Sequence, residues 1–386
     1  MIAVLGECVA DAFLTRPSAS DTPTTDSALD TNGLSAVGGT LTSGTSTVAV
    51  GGSGAAVGGS AMADGGFAAT SGTSAATGGR SATVGGFSGV AGGFSMAGGG
   101  LTLRVLPGGG PANTAVALAR LGDPTRFLGR LSRDAFGELF RARLTSSGVD
   151  LTAAPEAAEP STLAVAALDA HGHAEYTFYA DGTADWQWTP YELDLARLRP
   201  LTCLHTGSLA LVRPPGREAV EAFARAAARE ATVSIDPNVR PSLAAKDDYQ
   251  VERWCAFTDI LKLSEDDLDF LLPGASLERA CDTWHAAGAR LVVVTRGAAG
   301  ALVSLDGERA EVRAPKVEVV DTVGAGDSFT AGLLHDLGAK GLLGGRLDGL
   351  GLEAAVEAAT FAARVSALTC SVAGANPPWA HQLTER

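Results

Sequence analysis

The most chemically suggestive stretch of the chain is DTVGAGDSF, residues 321–329, in which an aspartate follows two glycines and precedes an apolar segment. The β-branched residues before it and the apolar residues after it predict a strand, a glycine turn and a helix. Gly324 and Gly326 let a ligand approach the backbone, and the N–H groups of a first helical turn attract an anion such as a phosphate. Asp327 is therefore a candidate general base that takes a proton from a hydroxyl during phosphoryl transfer. An N-cap on a buried helix is the alternative role for this aspartate.

A second glycine loop lies earlier in the chain, at residues 108–110. It follows an alternating segment at 101–105, which predicts a strand, and it precedes an apolar helix that begins near Pro111 and ends before Gly122. Asn113 falls in the first turn, where its amide can face a ligand on the loop. Neither glycine stretch completes the GxGxxG dinucleotide fingerprint, which disfavours a nicotinamide enzyme, and no GxxxxGK[ST] loop occurs.

Composition narrows the class of protein. The chain has 386 residues, of which 46% are hydrophobic and 19% are charged, and its net charge of −14 argues against nucleic acid or an anionic membrane as a partner. The five cysteines are scattered without CxxC spacing, so we expect neither a disulfide framework nor a zinc site, and a cytoplasmic location fits best. We find no signal-peptide pattern and no apolar run long enough to cross a bilayer.

Residues 18–100 differ in composition from the rest, being rich in glycine, alanine, serine and threonine. Glycine pairs at 38–39, 51–52, 58–59 and 65–66 recur 27 residues later at 65–66, 78–79, 85–86 and 92–93, which indicates an internal duplication. We interpret this segment as a flexible low-complexity insertion, with a stacked glycine-rich turn structure as the alternative.

The remaining chain alternates between short apolar runs and helical patterns. Segments 162–168 and 174–179 predict a β-hairpin, and the later alternation predicts a mostly parallel sheet covered by helices on both faces. Polar residues follow several strands, as at Asp11, 236–240 and 262–267, so we expect them to share one edge of the sheet, where open α/β sheets bind ligands.

The two glycine motifs, Gly108 to Gly122 and Asp321 to Phe329, stand about 210 residues apart in the same order as in a known family. Together they resemble the ribokinase-like (PfkB) carbohydrate kinases, most closely the fructokinases. The resemblance implies an α/β fold of the ribokinase-like type, a three-layer α/β/α sandwich with a mostly parallel central sheet and a small β-sheet lid. The kinase domain would comprise 1–17 and 101–380, with the lid formed by about 12–15, 101–106 and 162–180.

The resemblance also implies the activity, which is ATP-dependent phosphorylation of a sugar hydroxyl, with Mg²⁺ and, in some members, K⁺. The partners would be the sugar, ATP and a second copy of the chain joined through the lid. Kinases of 2-keto-3-deoxygluconate, ribose or a nucleoside are alternatives within the family. A non-catalytic relative that binds sugar or nucleotide is the alternative from another class.

Residue roles carry over from the family as expectations. The catalytic set would be the base Asp327 and the amides of Gly324, Ala325 and Gly326 as an anion hole. The sugar-binding set would be Asp11, Gly108, Gly109, Gly110 and Asn113. The nucleotide-binding set would be Lys262, Ser264, Thr295, Gly297, Gly300 and Gly326.

Three acidic residues correspond to metal sites of the family. Ser264-Glu265-Asp266-Asp267 stands where many relatives have Asn-x-x-Glu, which makes Glu265 and Asp267 the candidate Mg²⁺ ligands. Asp321 corresponds to a residue that forms a monovalent-cation site in some members of the family. Asp236, Asn238 and Arg240 resemble the DPNxR stretch of the fructokinase and 2-keto-3-deoxygluconate kinase relatives.

Overall fold

The computed structural model describes residues 1–15, 102–168 and 174–384, together with short strands at 47–48, 82–83 and 92–95. Most of the segment predicted to be an insertion, and with it the 27-residue duplication, lies outside the described residues. So does the tip of the predicted hairpin, at 169–173.

The described residues contain strands and helices that follow the predicted alternation. The strands are β1 (Ile2–Leu5), β2 (Val9–Thr15), β3 (Thr47–Val48), β4 (Ala82–Thr83), β5 (Gly92–Ser95), β6 (Thr102–Gly108), β7 (Thr125–Leu128), β8 (Leu131–Ser132), β9 (Glu156–Ala157), β10 (Thr162–Leu168), β11 (Ala174–Tyr179), β12 (Cys203–Gly207), β13 (Thr232–Asp236), β14 (Ile260–Ser264), β15 (Leu291–Thr295), β16 (Ala301–Leu305) and β17 (Glu308–Val312). The helices are α1 (Gly110–Leu121), α2 (Ala135–Ser146), α3 (Arg217–Ala227), α4 (Val251–Cys255), α5 (Glu265–Leu271), α6 (Leu277–Ala287), α7 (Ala325–Ala339), α8 (Leu352–Cys370) and α9 (Ala380–Thr384).

The main sheet has eight strands in the order β17-β16-β15-β14-β13-β12-β1-β7. Its six strands from β15 to β7 in that order run parallel, and β16 and β17 are antiparallel to the strands beside them. The parallel strands are short apolar runs because both faces of the sheet are covered. Trp254 of α4 and Trp284 of α6 belong to the same hydrophobic core as strand residues such as Ile235. Helix α7 contacts both α1 and α8, and all three of these helices contact strands of the sheet. The predicted parallel sheet flanked by helices is therefore present.

A second sheet of five strands has the order β11-β10-β2-β6-β5. By its contacts the chain divides into two compact units, one made of 1–11, 107–164 and 177–386 and the other of 12–106 and 165–176. The assignment of the second sheet as a lid stays a prediction. Among the described residues, none of the helices has the length and apolar character needed to cross a membrane.

The strand predicted before the glycine turn of 321–329 is wrong. The backbone from residue 313 to residue 324 forms no regular strand. Val319 and Val320 are 61% and 59% exposed, and the N–H of Val320 donates to the carbonyl of Cys370 at the end of α8. β-branched residues favour strands only where a neighbouring strand and a buried face are available. The helix after the turn is correct, and α7 begins at Ala325.

Candidate active site

Asp327 lies in the first turn of α7, where the backbone geometry is set by Gly324. That glycine is the N-cap residue and has a left-handed φ of 77°, which favours glycine. The side chain of Asn113, in the first turn of α1, donates from Nδ2 to Asp327 Oδ2 at 2.9 Å. Two residues that are 214 positions apart in the sequence therefore meet, because α1 and α7 are in contact.

The first turn of α7 offers part of the predicted anion hole. The N–H of Ala325 donates to the carbonyl of Thr322 at 3.2 Å, so this amide already has an acceptor within the turn. The helix dipole and the open backbone at Gly326 still favour an anion at this end of α7. Lys262 adds a cationic group, since its Nζ lies 3.0 Å from where a Cβ on Gly326 would stand.

The glycine loop at 108–110 is packed so closely that side chains are excluded from it. A Cβ on Gly108 would lie 2.0 Å from Asp11 Oδ2, and one on Gly109 would lie 2.5 Å from the carbonyl oxygen of Glu7. A Cβ on Gly110 would lie 3.2 Å from Asp327 Oδ1. The predicted sugar-binding residues are thus brought together with the predicted base.

Burial changes the proton affinity of the carboxyl groups at this site. Desolvation raises the pKa of Asp327 to about 6, although the hydrogen bond from Asn113 and the charge of Lys262 oppose the rise. Desolvation also raises the pKa of Asp11 to about 7, where the Asp327 charge adds to the effect and the Arg240 charge opposes it. A carboxyl group with a pKa near 6 is ionised at neutral pH and is a stronger base than an ordinary aspartate.

Lys262, in the middle of β14, is held by an ion pair. Its Nζ lies 2.7 Å from Asp236 Oδ2, and both side chains are almost fully buried. The pKa of Lys262 is raised by Asp236, and by Asp327 and Asp267 to a smaller degree, against the opposing effect of burial, so the ammonium stays charged. Lys262 therefore keeps a positive charge next to Gly326 in the first turn of α7.

Ser264 and Asp267, predicted for nucleotide and metal, together cap α5. Ser264 Oγ accepts from the N–H of Asp267 at 3.1 Å, and Asp267 Oδ2 accepts from the N–H of Ser264 at 2.9 Å. Asp267 Oδ1 accepts from the N–H of Val239 at 2.8 Å. Both oxygens of Asp267 are thus in use, while Glu265 is exposed. Within 1–15, 102–168 and 174–384 no group of three acidic, histidine or cysteine side chains could hold a metal.

The remaining predicted residues lie in turns. Thr295 ends β15, where its hydroxyl donates to the Leu263 carbonyl at 3.3 Å, and Gly297 and Gly300 take positive φ in the turn before β16. Asp321 accepts from the N–H of Val323 and from that of Gly374, at 3.0 and 2.8 Å, which ties the turn before α7 to the loop after α8. The cation role of Asp321 stays a prediction.

Sequence reasoning missed the polar side chains beneath the glycine loop. Glu7 accepts from the hydroxyl of Ser208 at 2.5 Å, and Asp185 accepts from the N–H of Cys8 at 2.9 Å and from Thr162 Oγ1 at 2.6 Å. Burial raises the pKa of Glu7 to about 7 and that of Asp185 to about 6. The position of Glu7 just past the end of β1 was the available signal, since strand ends in such sheets carry ligand-site residues.

A mostly parallel α/β sheet, with a buried carboxyl group at a helix start beside a glycine loop, is suited to phosphoryl transfer to a hydroxyl group. Residues 100–382 match the model of the pfkB family of carbohydrate kinases. The chain belongs to this family, and it is an ATP-dependent sugar kinase.

Individual relatives point in the same direction. The chain is 38% identical over 240 residues to a fructokinase of Rhizobium leguminosarum bv. trifolii, covering 61% of this chain and 73% of that one. It is 37% identical over 245 residues to a fructokinase of Klebsiella pneumoniae, covering 61% and 78%. A crystal structure of Xylella fastidiosa fructokinase with bound ATP superimposes with a TM-score of 0.68 and 27% identity, covering 75% of this chain and 93% of that one. The predicted fold class and kinase activity are confirmed.

Proposed function

We propose that the protein transfers the γ-phosphoryl group of ATP to a hydroxyl of fructose, with Asp327 as the general base. The observation that carries the proposal is the contact between the two glycine motifs. Asn113 donates to Asp327, and the same carboxyl group borders Gly110. A sugar bound on the glycine loop would thus present its hydroxyl to the base.

The proton transfer follows from the environment of Asp327. The hydrogen bond from Asn113 occupies Oδ2 and fixes the orientation of the carboxylate, which leaves Oδ1 toward Gly110. The hydroxyl would donate to this carboxylate as its oxygen attacks the γ-phosphorus, and ADP would leave on the opposite side. Asp11, packed against Gly108, would accept from other sugar hydroxyls.

The negative charge of the transferred phosphoryl group would be stabilised at the start of α7. The helix dipole, the amide of Gly326 and the buried Lys262 ammonium converge there. Thr295, Gly297 and Gly300 would border the nucleotide, as would Ser264. Glu265, exposed at the start of α5, would be the carboxylate available to hold Mg²⁺, and the ion would supply positive charge to the phosphates of ATP.

The Asp321 carboxylate is proposed as a monovalent-cation ligand on the strength of the family resemblance, although its two oxygens accept backbone amides. We also propose a homodimer formed through the second sheet. The resemblance to the family is what supports this contact. A cytoplasmic location is proposed because the cysteines are free thiols.

A sugar panel tests the substrate. Purified protein with ATP and Mg²⁺ is assayed for ADP release with fructose, ribose, 2-keto-3-deoxygluconate and a nucleoside, and each product is identified by mass and by phosphorus NMR. We expect fructose to give the highest kcat/KM. A higher kcat/KM for one of the other acceptors would reject fructose and keep the kinase chemistry.

A further inference from the structure

A row of polar side chains follows three adjacent strands in the middle of the main sheet. Glu7 comes after β1, Ser208 after β12 and Asn238 after β13, and these strands lie side by side. Ser208 Oγ donates to Glu7 Oε1 at 2.5 Å, and Asn238 Nδ2 donates to Ser208 Oγ at 3.5 Å. Glu7 is 3% exposed and Ser208 is 2% exposed. The three side chains form one connected relay.

The backbone of the relay is strained. Ser208 has φ 50° and Asn238 has φ 40°, and among the described residues only Asp306 and Leu347 share this left-handed conformation without being glycine. Such conformations persist where the surroundings over-determine them, and they concentrate at functional sites. Two of them on neighbouring strand ends, linked by a hydrogen bond, indicate that the positions of these side chains matter.

The relay meets the glycine loop at two consecutive residues. The side-chain nitrogen Nδ2 of Asn238 would lie 2.5 Å from a Cβ on Gly110, and the backbone carbonyl oxygen of Glu7 would lie 2.5 Å from a Cβ on Gly109. Asp327 Oδ1 lies 3.2 Å from that same point at Gly110. The backbone carbonyl of Glu7 therefore lies against Gly109. The carboxyl group of Glu7 is linked through Ser208 to the side-chain amide of Asn238, which lies against Gly110.

We propose that Glu7, Ser208 and Asn238 are positioning residues that fix the glycine loop against Asp327 and so set how the sugar hydroxyl meets the base. The proposal rests on the proposed function. It concerns the sugar half of the site, because the relay borders Gly109 and Gly110 of the glycine loop.

A purely structural role explains the relay less well. Glu7 Oε2 is buried and has no hydrogen-bond partner among the described residues, and an unsatisfied buried polar atom destabilises a fold. An apolar side chain at position 7 would avoid that cost. The arrangement is therefore better suited to holding the loop in a required geometry than to stabilising the sheet.

Two variants separate positioning from stability. Glu7→Gln keeps the shape and removes the carboxyl group. Asn238→Gly removes the side-chain amide and keeps a residue that tolerates the left-handed φ, so its Tm should stay close to that of the wild type. Because small misplacements of a reacting group are costly, we expect each variant to lose at least about tenfold in kcat/KM for the sugar while the KM for ATP stays within about twofold.

A double variant and two controls complete the experiment. Glu7→Gln with Asn238→Gly should lose little more than the worse single variant, since both act through one relay. Asp306→Gly relieves a φ of 48° in the turn between β16 and β17, and Asp259→Asn alters a fully buried carboxyl group just before β14. Both controls should keep the wild-type constants for the sugar.

Each outcome decides between the possibilities. Wild-type sugar constants in a folded Asn238→Gly variant would overturn the inference while the proposed function stands. A wild type that phosphorylates no sugar would instead overturn the proposed function, and the inference with it. Loss in Asn238→Gly with a retained Tm and an unchanged KM for ATP would support the relay, even if Glu7→Gln failed to fold.

Discussion

The pH dependence of sugar phosphorylation follows from two neighbouring carboxyl groups with raised pKa values. Burial raises the pKa of Asp327 to about 6 and that of Asp11 to about 7, from an ordinary value of 3.8. Asp327 must be ionised to accept a proton, so activity should be lost as the pH falls through its pKa. Asp11 titrates nearby, and the wild-type profile should therefore fall more steeply than one ionisation allows.

Replacing Asp11 with asparagine isolates the base. With a pKa of about 6 for Asp327, the ionised fraction is roughly 90% at pH 7 and roughly 9% at pH 5, so kcat/KM should fall about tenfold between these values. With the ordinary pKa of 3.8, both fractions would exceed about 90%, and the change would be only about 1.1-fold. The two cases differ by far more than the error of a kinetic assay.

The assay is kcat/KM for fructose at saturating ATP between pH 5 and pH 8, measured for Asp11→Asn and normalised to its own plateau. Circular dichroism at each pH checks that the protein stays folded. Asp259→Asn is the control, because burial raises the pKa of Asp259 to about 6 as well, but this residue lies just before the amino end of β14. Its profile should match the wild type. A flat Asp11→Asn profile between pH 5 and pH 7 would refute the reasoning.

Three further outcomes are expected. Asp327→Asn should raise the Tm measured by thermal unfolding by roughly 2 °C or more at pH 8, but not at pH 4. Because the pKa of Asp327 is raised in the folded state, the wild type has the full stability of the protonated carboxyl group below a pH of about 4 and loses it as the pH rises past about 6. A variant and a wild type with the same Tm at pH 8 would contradict the raised pKa. Gly110→Ala should lower kcat/KM for the sugar at least about tenfold, since its Cβ would stand 2.5 Å from Asn238 Nδ2, and unchanged constants would show that the loop tolerates displacement. Gly332→Ala should lower the free energy of unfolding, measured in urea, by about 1–3 kcal/mol, because the new Cβ would stand 2.7 Å from Ala362 Cα. Gly349→Ala is the control, since its Cβ would stand 3.9 Å from Leu342 Cδ2, and it should change the free energy of unfolding by no more than about 0.5 kcal/mol.

Much of the fold was predictable because local pattern and final environment agree. The helix at Leu277–Ala287 and the strand at Leu291–Thr295 follow the predicted alternation of helical patterns and short apolar runs. A run of valines flanked by glycine and polar residues has few options other than a buried strand. The error at Val319 and Val320 has the opposite cause, since the same residue type lies exposed where no strand is available to pair with it.

The site was predictable where function imposes a motif and hidden where contact depends on strand order. The glycine motifs at 108–110 and 324–326 can be identified from the residue types alone. Glu7 and Ser208 are 201 residues apart and meet only because β1 lies beside β12. The Ser264 and Asp267 pair had a second interpretation that sequence alone supports, because a serine three residues before an acidic residue is also a helix cap.

The most direct test of the central claim is a single-turnover measurement on Asp327→Asn. The variant keeps the size of the side chain and removes its basicity. With sugar and ATP at saturation, we predict that both ligands bind and that sugar phosphate forms at least about a hundredfold more slowly than with the wild type. Sugar phosphate formed at the wild-type rate would contradict the assignment of Asp327 as the base.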